Sequence, residues 1–376
     1  MDEFRVTVPQ QDLADLDERL ERTRIPPHAF GTDWSAGTDQ DYLRDLIEYW
    51  RHGFDWRARE AWLGSFPQFT AEINGQRIHF AHIRAPRSTH AAAVIPIILS
   101  HGWPYSFAEM LPLGEILADP AARGGDPADA FDVVIPSLPG YGFSASLKEQ
   151  PFTSPVVAEL WHTLMTEELG YERYATYGED VGARVSDRTA ALHPDQVIGL
   201  FATHAAFPPE SRKENLSTQE TAFIDWLAAK WAGEDAYARI QSTKPDTLAV
   251  GLNDSPAGLA AWLIEKFRTW SDGEFETAWT RDELLTTVML YWVTQSVGTS
   301  FRPYFDGPLE PEMPLIDVPV GVAVQWGERG FPRSYAERTY TDLRTWTNLP
   351  RGGHFTAKQT PELVATRMRE FFRPLR

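Results

Sequence analysis

The sequence has no cysteine in its 376 residues. Disulfides, thiol nucleophiles and cysteine-ligated zinc are therefore excluded, and the composition is compatible with a reducing compartment. The chain also lacks any apolar run of the roughly 18 residues that a membrane-spanning helix needs. Its start, Met1 to Arg5, is charged and does not resemble a signal peptide. We therefore expect a soluble, cytoplasmic protein without a membrane partner.

Basic residues are scarce, because 35 Lys and Arg stand against 53 Asp and Glu, for a formal net charge of −18. This balance argues against a nucleic-acid surface and disfavours anionic membranes. Phosphate-loop, dinucleotide-binding and His-Glu-x-x-His motifs are absent, so the sequence predicts no cofactor and no metal. It also contains no Gly-x-Ser-x-Gly, which excludes the usual serine nucleophile elbow.

A carboxylate takes the place of that serine. Asp180 lies in Gly178-Glu179-Asp180-Val181-Gly182, between a strand-like run at 174–177 and a helix-like run at 183–192. This strand, tight turn and helix are the context of a nucleophile elbow, and the flanking glycines allow the close backbone approach that the turn requires. An aspartate displayed there can attack an electrophilic sp³ carbon and form an ester on the enzyme.

Two further segments complete a hydrolase site. His101-Gly102-Trp103-Pro104 follows an apolar run at 94–99, at the end of a strand where α/β sheets place ligands. In this architecture the backbone N–H groups of Trp103 and Val181 would form the oxyanion hole. His354 follows a Gly-Gly pair between the last strand-like run, 343–349, and the last helix, about 361–372, where the general base belongs.

The candidate orienting acid is Glu328, just beyond the buried strand-like run 320–324. The order nucleophile, acid, histidine is that of the α/β hydrolase fold. Several other carboxylates lie nearby, and most such groups are simply solvated. Glu328 is therefore the acid that we predict to hold His354 in the correct tautomer.

The pattern along the chain predicts an α/β hydrolase fold, with a mostly parallel sheet flanked by helices. We expect residues 1–75 to form an N-terminal extension of helices and loops. Residues 76–205 and 306–376 would form the core. Residues 206–305 lack a strand pattern and are rich in Trp and Phe, which favours a helical lid inserted into the core.

Motifs along almost the whole chain resemble the microsomal-type epoxide hydrolases and their bacterial relatives. Phe54-Asp55-Trp56-Arg57 and Phe66-Pro67-Gln68-Phe69 are similar to the N-terminal region of that family. The segment Pro136-Ser137-Leu138-Pro139-Gly140-Tyr141-Gly142 is similar to a loop of its core, and Lys244-Pro245-Asp246-Thr247 to its lid. The membrane-anchored members have a leader segment that this chain lacks, which agrees with a soluble protein.

The resemblance implies a reaction and two further site residues. It implies that Tyr237 and Tyr304 of the lid hydrogen-bond the epoxide oxygen while Asp180 attacks, and that water activated by His354 then hydrolyses the ester to a vicinal diol. A small-molecule epoxide and water would be the only reaction partners, and a homo-oligomer is compatible with the sequence. Two positions depart from the family, which usually has Gly in place of Glu179 and commonly Trp in place of Val181.

Two alternatives stay open at this point. A haloalkane dehalogenase also uses an aspartate nucleophile, but Val181 offers no side-chain N–H to a halide and the tyrosine pair would have no purpose. A halide-release assay separates this reading from epoxide hydrolysis. The second alternative is a catalytically inactive, ligand-binding homologue, for which Glu179 is the only hint. Turnover of a generic epoxide such as styrene oxide would exclude it.

Overall fold

The computed structural model describes residues 1–27, 33–86 and 94–376. In these ranges nine strands form one sheet in the order β1-β2-β3-β5-β4-β6-β7-β8-β9. Their bounds are β1 Asp2–Phe4, β2 Gln68–Ile73, β3 Gln76–Ile83, β4 Ile95–Ser100, β5 Phe131–Pro136, β6 Tyr174–Gly178, β7 Val197–Ala202, β8 Val320–Val324 and β9 Leu343–Asn348. The pairs from β5 through β9 are parallel, whereas β1, β2, β3 and β5 pair antiparallel.

The antiparallel end of the sheet differs from the sequence-based expectation, which placed only helices and loops in the first 75 residues. Strands β1 and β2 belong to that stretch, and β2 forms a hairpin with β3. Asn74 and Gly75 connect the two strands with φ angles of 53° and 76°. An Asn-Gly pair with positive φ at both positions is a strong hairpin signal, because it matches the twist of the flanking strands. The prediction overlooked this signal.

The α-helices surround the sheet and fill the segment between β7 and β8. Helices α4 and α16 pack together beside the sheet, as do α5 and α6. The helices at the two ends of the chain and around the core strands are α1 Gln10–Glu21, α2 Gln40–His52, α3 Trp56–Leu63, α4 Leu111–Ala118, α5 Ser154–Thr163, α6 Val181–Leu192, α14 Arg333–Ala336, α15 Thr356–Gln359 and α16 Pro361–Phe372. These elements, with the sheet, confirm the predicted α/β hydrolase fold.

The segment between β7 and β8 contains helices and loops. The helices are α7 Thr218–Trp231, α8 Ala236–Thr243, α9 Pro245–Asp254, α10 Pro256–Trp270, α11 Phe275–Ala278, α12 Arg281–Thr294 and α13 Arg302–Phe305. Helices of the N-terminal segment pack against them. The Tyr49 hydroxyl donates to Asp282 at 2.7 Å, and Arg59 Nε donates to the Thr286 hydroxyl at 2.8 Å.

The candidate site residues follow the carboxyl ends of neighbouring parallel strands. Trp103 comes after β4, Asp180 after β6, Glu328 after β8 and His354 after β9. Ligands bind at this edge in open α/β sheets because the loops there converge. Among the helices of the described ranges, none is both long and apolar enough to cross a membrane.

Candidate active site

Asp180 lies at the sharp turn between β6 and α6. Its backbone has φ 55° and ψ −121°, in a region that non-glycine residues rarely adopt. The flanking glycines explain how the chain tolerates this turn. A Cβ atom at Gly178 would collide with the carbonyl oxygen of Gly182, and one at Gly182 would collide with the carbonyl oxygen of Ser100. The elbow therefore requires both glycines, as the sequence predicted.

The carboxylate of Asp180 has different neighbours at its two oxygens. The backbone N–H of Trp103 donates to Oδ1 at 2.9 Å, and Nε2 of His354 lies 3.4 Å from Oδ2. Burial alone would raise the pKa of this carboxyl group. The contact with His354 and the N–H groups of Trp103 and Val181 outweigh burial, so the pKa lies below its ordinary value. Asp180 is therefore ionised at neutral pH, as a nucleophile must be.

His354 is fixed through its backbone as well as its ring. Its backbone N–H donates to the carbonyl oxygen of Trp270 at 2.8 Å, and its ring lies 5.0 Å from the Trp270 ring. The preceding Gly353 has no room for a Cβ atom, which would collide with the same carbonyl group. The Gly-Gly pair thus lets the loop approach the end of α10 closely enough to aim His354 at Asp180.

Glu328 ends a short 3₁₀ turn, Trp326–Glu328, and lines the same cavity as His354. Burial raises its pKa to about 7, and the nearby His354 and Lys230 oppose that shift. Its Oε2 atom is buried without a hydrogen-bond partner. Among the hydrogen bonds of the described residues, none joins Glu328 to His354. The structure thus brings Glu328 within electrostatic reach of the imidazole and leaves the two without direct contact.

Tyr237 on α8 and Tyr304 on α13 face Asp180 from the opposite side of the cavity. Their ring centroids are 5.8 Å apart, so the two phenols are neighbours in the cavity wall. Tyr237 also stacks on Trp103, with centroids 5.1 Å apart and ring planes within 6°. Burial, and then the negative charge of Asp180, raises the pKa of both phenols. Both therefore keep their protons at neutral pH and can donate them.

A cavity of about 380 Å³ joins these groups. Its walls include Asp180, His354, both tyrosines and the aromatic rings of Trp231 and Trp270. A volume of this size suits a small organic molecule, and the aromatic lining favours an apolar one. Residues that could bind a metal do not cluster here or elsewhere in the described ranges.

Sequence reasoning missed His204, the second residue after the end of β7. The backbone N–H of Asp180 donates to its Nδ1 at 3.3 Å, and its Nε2 donates to the carbonyl oxygen of His354 at 3.0 Å. Burial lowers the pKa of His204 to about 3, so the ring stays neutral. Its place at the carboxyl end of a strand next to β6 was the signal that could have found it.

Known proteins resemble this chain over its full length. Residues 1–110 match the family described as "Epoxide hydrolase N terminus", and residues 95–296 match the family described as "alpha/beta hydrolase fold". Epoxide hydrolase 1 of Sus scrofa is 33% identical over 404 aligned positions, which cover 98% of this chain and 87% of the relative.

Two solved structures share the architecture. Juvenile hormone epoxide hydrolase of the silkworm Bombyx mori superposes with a TM-score of 0.89 at 27% identity, covering 100% of this chain and 94% of that one. Aspergillus niger epoxide hydrolase superposes with a TM-score of 0.85 at 30% identity, covering 100% and 96%. With its elbow aspartate and its fold, the chain belongs to the epoxide hydrolase family.

Proposed function

We propose that this enzyme converts an epoxide to a vicinal diol in two steps, through an ester on Asp180. The observation that carries the proposal is the unequal environment of the two carboxylate oxygens. Oδ1 accepts a hydrogen bond from the Trp103 N–H, while Oδ2 lies beside His354 and the cavity. Oδ2 is therefore the free nucleophile, and Oδ1 already occupies an oxyanion hole.

In the first step, Oδ2 of Asp180 attacks an epoxide carbon and the carbon–oxygen bond of the ring breaks. The leaving oxygen takes a proton from the pair of Tyr237 and Tyr304. A phenol suits this role because its reference pKa of about 10 is far below that of the alkoxide. Two neighbouring phenols that both donate to the leaving oxygen also share the developing charge. The product of the step is a hydroxyalkyl ester of Asp180.

In the second step, His354 takes a proton from water, and the hydroxide attacks Cγ of Asp180. The negative charge then develops on Oδ1, where the N–H groups of Trp103 and Val181 stabilise it. Glu328 stabilises the imidazolium by its charge at the cavity wall. When the acyl carbon–oxygen bond breaks, Oδ2 leaves with the diol and takes the proton held by the His354 imidazolium. The second proton of the water leaves the new carboxyl group and replaces the one that the tyrosine pair gave up, so the oxygen of water stays in the carboxylate.

The test replaces the base. His354→Gln should still form the ester and fail to hydrolyse it, so intact-mass measurement after mixing with styrene oxide should show a stable adduct on Asp180. In wild-type enzyme at single turnover in ¹⁸O-water, the diol should be unlabelled and the peptide containing Asp180 should gain the label. A labelled diol from the first turnover would overturn the ester mechanism and reduce Asp180 to a general base.

Three further assignments accompany this function. Residues 206–305 act as a lid over the core of 76–205 and 306–376, since this segment contributes both tyrosines, and 1–75 is an extension that packs against the lid. The enzyme acts in the cytoplasm, which fractionation of cells would test. It requires only epoxide and water, and light scattering would establish whether it forms a homo-oligomer.

A further inference from the structure

Glu179 is a buried carboxylate that the proposed reaction does not use. It directly precedes the nucleophile, yet its side chain points away from the cavity and is 0% exposed. Burying a carboxylate is costly unless donors satisfy its oxygens. A neutral side chain of the same volume would cost less free energy to bury, so the presence of a carboxylate at this position needs an explanation.

Four donors from four separate segments surround this carboxylate. The Tyr177 hydroxyl of β6 donates to Oε1 at 2.5 Å, and the backbone N–H of Ala357 in α15 donates to the same oxygen at 2.7 Å. The hydroxyl groups of Thr203, after β7, and Tyr105, after β4, lie at 3.3 Å and 3.5 Å. These segments also carry the proposed oxyanion hole, nucleophile and base.

The bond to Ala357 connects Glu179 to the base. Ala357 is three residues beyond His354, in the short helix that follows the His354 loop. One carboxylate therefore ties the elbow of Asp180 to the segment that carries His354. The charge of His354 also acts on Glu179 and lowers its pKa, so the two groups interact electrostatically.

We propose that Glu179 is a positioning residue for the second step. When ionised, its carboxylate holds α15 against the elbow and places a negative charge near His354, which stabilises the imidazolium formed when water loses its proton. The first step creates no charge on His354, so it depends on Glu179 much less. The proposal rests on the two-step function proposed above.

The charge state of Glu179 is adjustable near neutral pH. Burial raises the pKa of this carboxyl group to about 7, although Tyr177, the Ala357 N–H, His354 and Thr203 all act to lower it. The groups that face it from the packed elements are Tyr105, Tyr177, Thr203, the Ala357 N–H and His354, with Asp180 next to it in the chain. The ionisation of Glu179 therefore changes around pH 7, and removing a donor should shift the pH at which it ionises.

The first test compares two buried carboxylates. Glu179→Gln keeps the volume and removes the charge. Glu109→Gln is the matched control, because Glu109 is also buried and accepts from the Ser106 N–H and from hydroxyl groups, but none of its hydrogen bonds comes from α15. Rapid mixing with styrene oxide, acid quenching and intact-mass measurement follow the ester, while chromatography follows the diol.

At pH 8 we expect Glu179→Gln to hydrolyse the ester about tenfold more slowly than wild type, so that the ester accumulates, while its formation changes by less than about threefold. Glu109→Gln should change neither step beyond about twofold. The proposal is overturned if Glu179→Gln matches wild type, if it slows both steps alike, or if Glu109→Gln behaves in the same way. Absence of ester and diol in wild type would instead refute the proposed function.

The second test keeps Glu179 and changes its ionisation. Tyr177→Phe removes the closest donor to the carboxylate and should raise the pKa of Glu179 further. Ester hydrolysis in this variant should be slow at pH 7 and return close to the wild-type rate at pH 9, whereas Glu179→Gln should stay slow at both. A Tyr177→Phe defect that is equal at the two pH values would overturn the proposal, even if Glu179→Gln failed to fold.

Discussion

The two sides of the cavity hold their functional groups by different means. On the core side, backbone groups fix the site, since the Trp103 N–H donates to Asp180 and the N–H of His354 donates across the cavity to the carbonyl oxygen of Trp270 in the lid segment. On the lid side, aromatic packing fixes Tyr237 between Trp103 and Trp270, with centroids 5.1 Å from each. Trp103 serves both sides, with its N–H toward the core and its indole toward the lid.

This difference shows which kind of contact determines the position of the functional groups on each side. The backbone hydrogen bonds at strand ends depend on the fold and on glycines that allow close backbone approach, and these glycines belong to short local motifs. Aromatic contacts from separate helices depend on how the whole lid docks on the core. We therefore expect the glycines that shape the core side to respond to substitution mainly through folding, and the tyrosines of the lid side mainly through the chemistry.

The largest expected effect lies on the lid side. Tyr237→Phe or Tyr304→Phe alone should slow ester formation by about 10²-fold, because the remaining phenol still protonates the leaving oxygen. The double substitution should be close to inactive, and the melting temperature should change little in all three variants. Single-turnover mass measurement gives the rate. A silent Tyr237→Phe would mean that this phenol only packs and that Tyr304 acts alone.

On the core side, Gly182→Ala should act on folding. The added methyl group would meet the carbonyl groups of Ser100 and His101 in the adjacent segment. Backbone atoms cannot move aside as side chains do, so we expect the free energy of unfolding to fall by about 3 kcal/mol. Chemical denaturation measures this loss. A stable Gly182→Ala protein with only its kinetics altered would break the distinction between the two sides.

The same contrast explains what the sequence could predict. The elbow at Asp180 and the Gly-Gly loop before His354 are local patterns, and the fold predicted from their order is confirmed. Tyr237 and Tyr304 came only from a family resemblance, since nothing in their spacing shows that α8 and α13 meet. Their catalytic roles stay predictions.

Other features depended on tertiary contacts that no local pattern encodes. The partners of Glu179 come from segments as far away as Ala357, so no local pattern around Glu179 could identify them. His204 was overlooked because a lone histidine is usually structural. The β2–β3 hairpin, by contrast, had a local signal in Asn74-Gly75 that could have been used.

A smaller effect is expected at His204, which connects the backbone of Asp180 to the backbone of His354. His204→Phe keeps an aromatic ring at this position and removes both hydrogen bonds, to the Asp180 N–H and to the His354 carbonyl group. Loss of one or two such bonds should lower turnover by about tenfold. His82→Phe is the control, because His82, in the antiparallel part of the sheet away from the cavity lining, is also buried and its ring is hydrogen-bonded to Tyr171. Equal losses in both variants would reduce His204 to a packing residue.

The smallest effect is expected for a glycine-to-alanine substitution in the lid, which can be compared with Gly182→Ala in the core. Gly251 is exposed in the last turn of α9, and a Cβ atom there would meet nothing within 4 Å. Replacing a helical glycine with alanine removes unfolded-chain entropy, so Gly251→Ala should stabilise the protein by about 0.5–1 kcal/mol. Turnover of styrene oxide should be unchanged, because no backbone hydrogen bond of the core side passes through α9. If this variant instead loses activity while gaining stability, motion of the lid limits the reaction, and packing alone does not describe how the lid places its tyrosines.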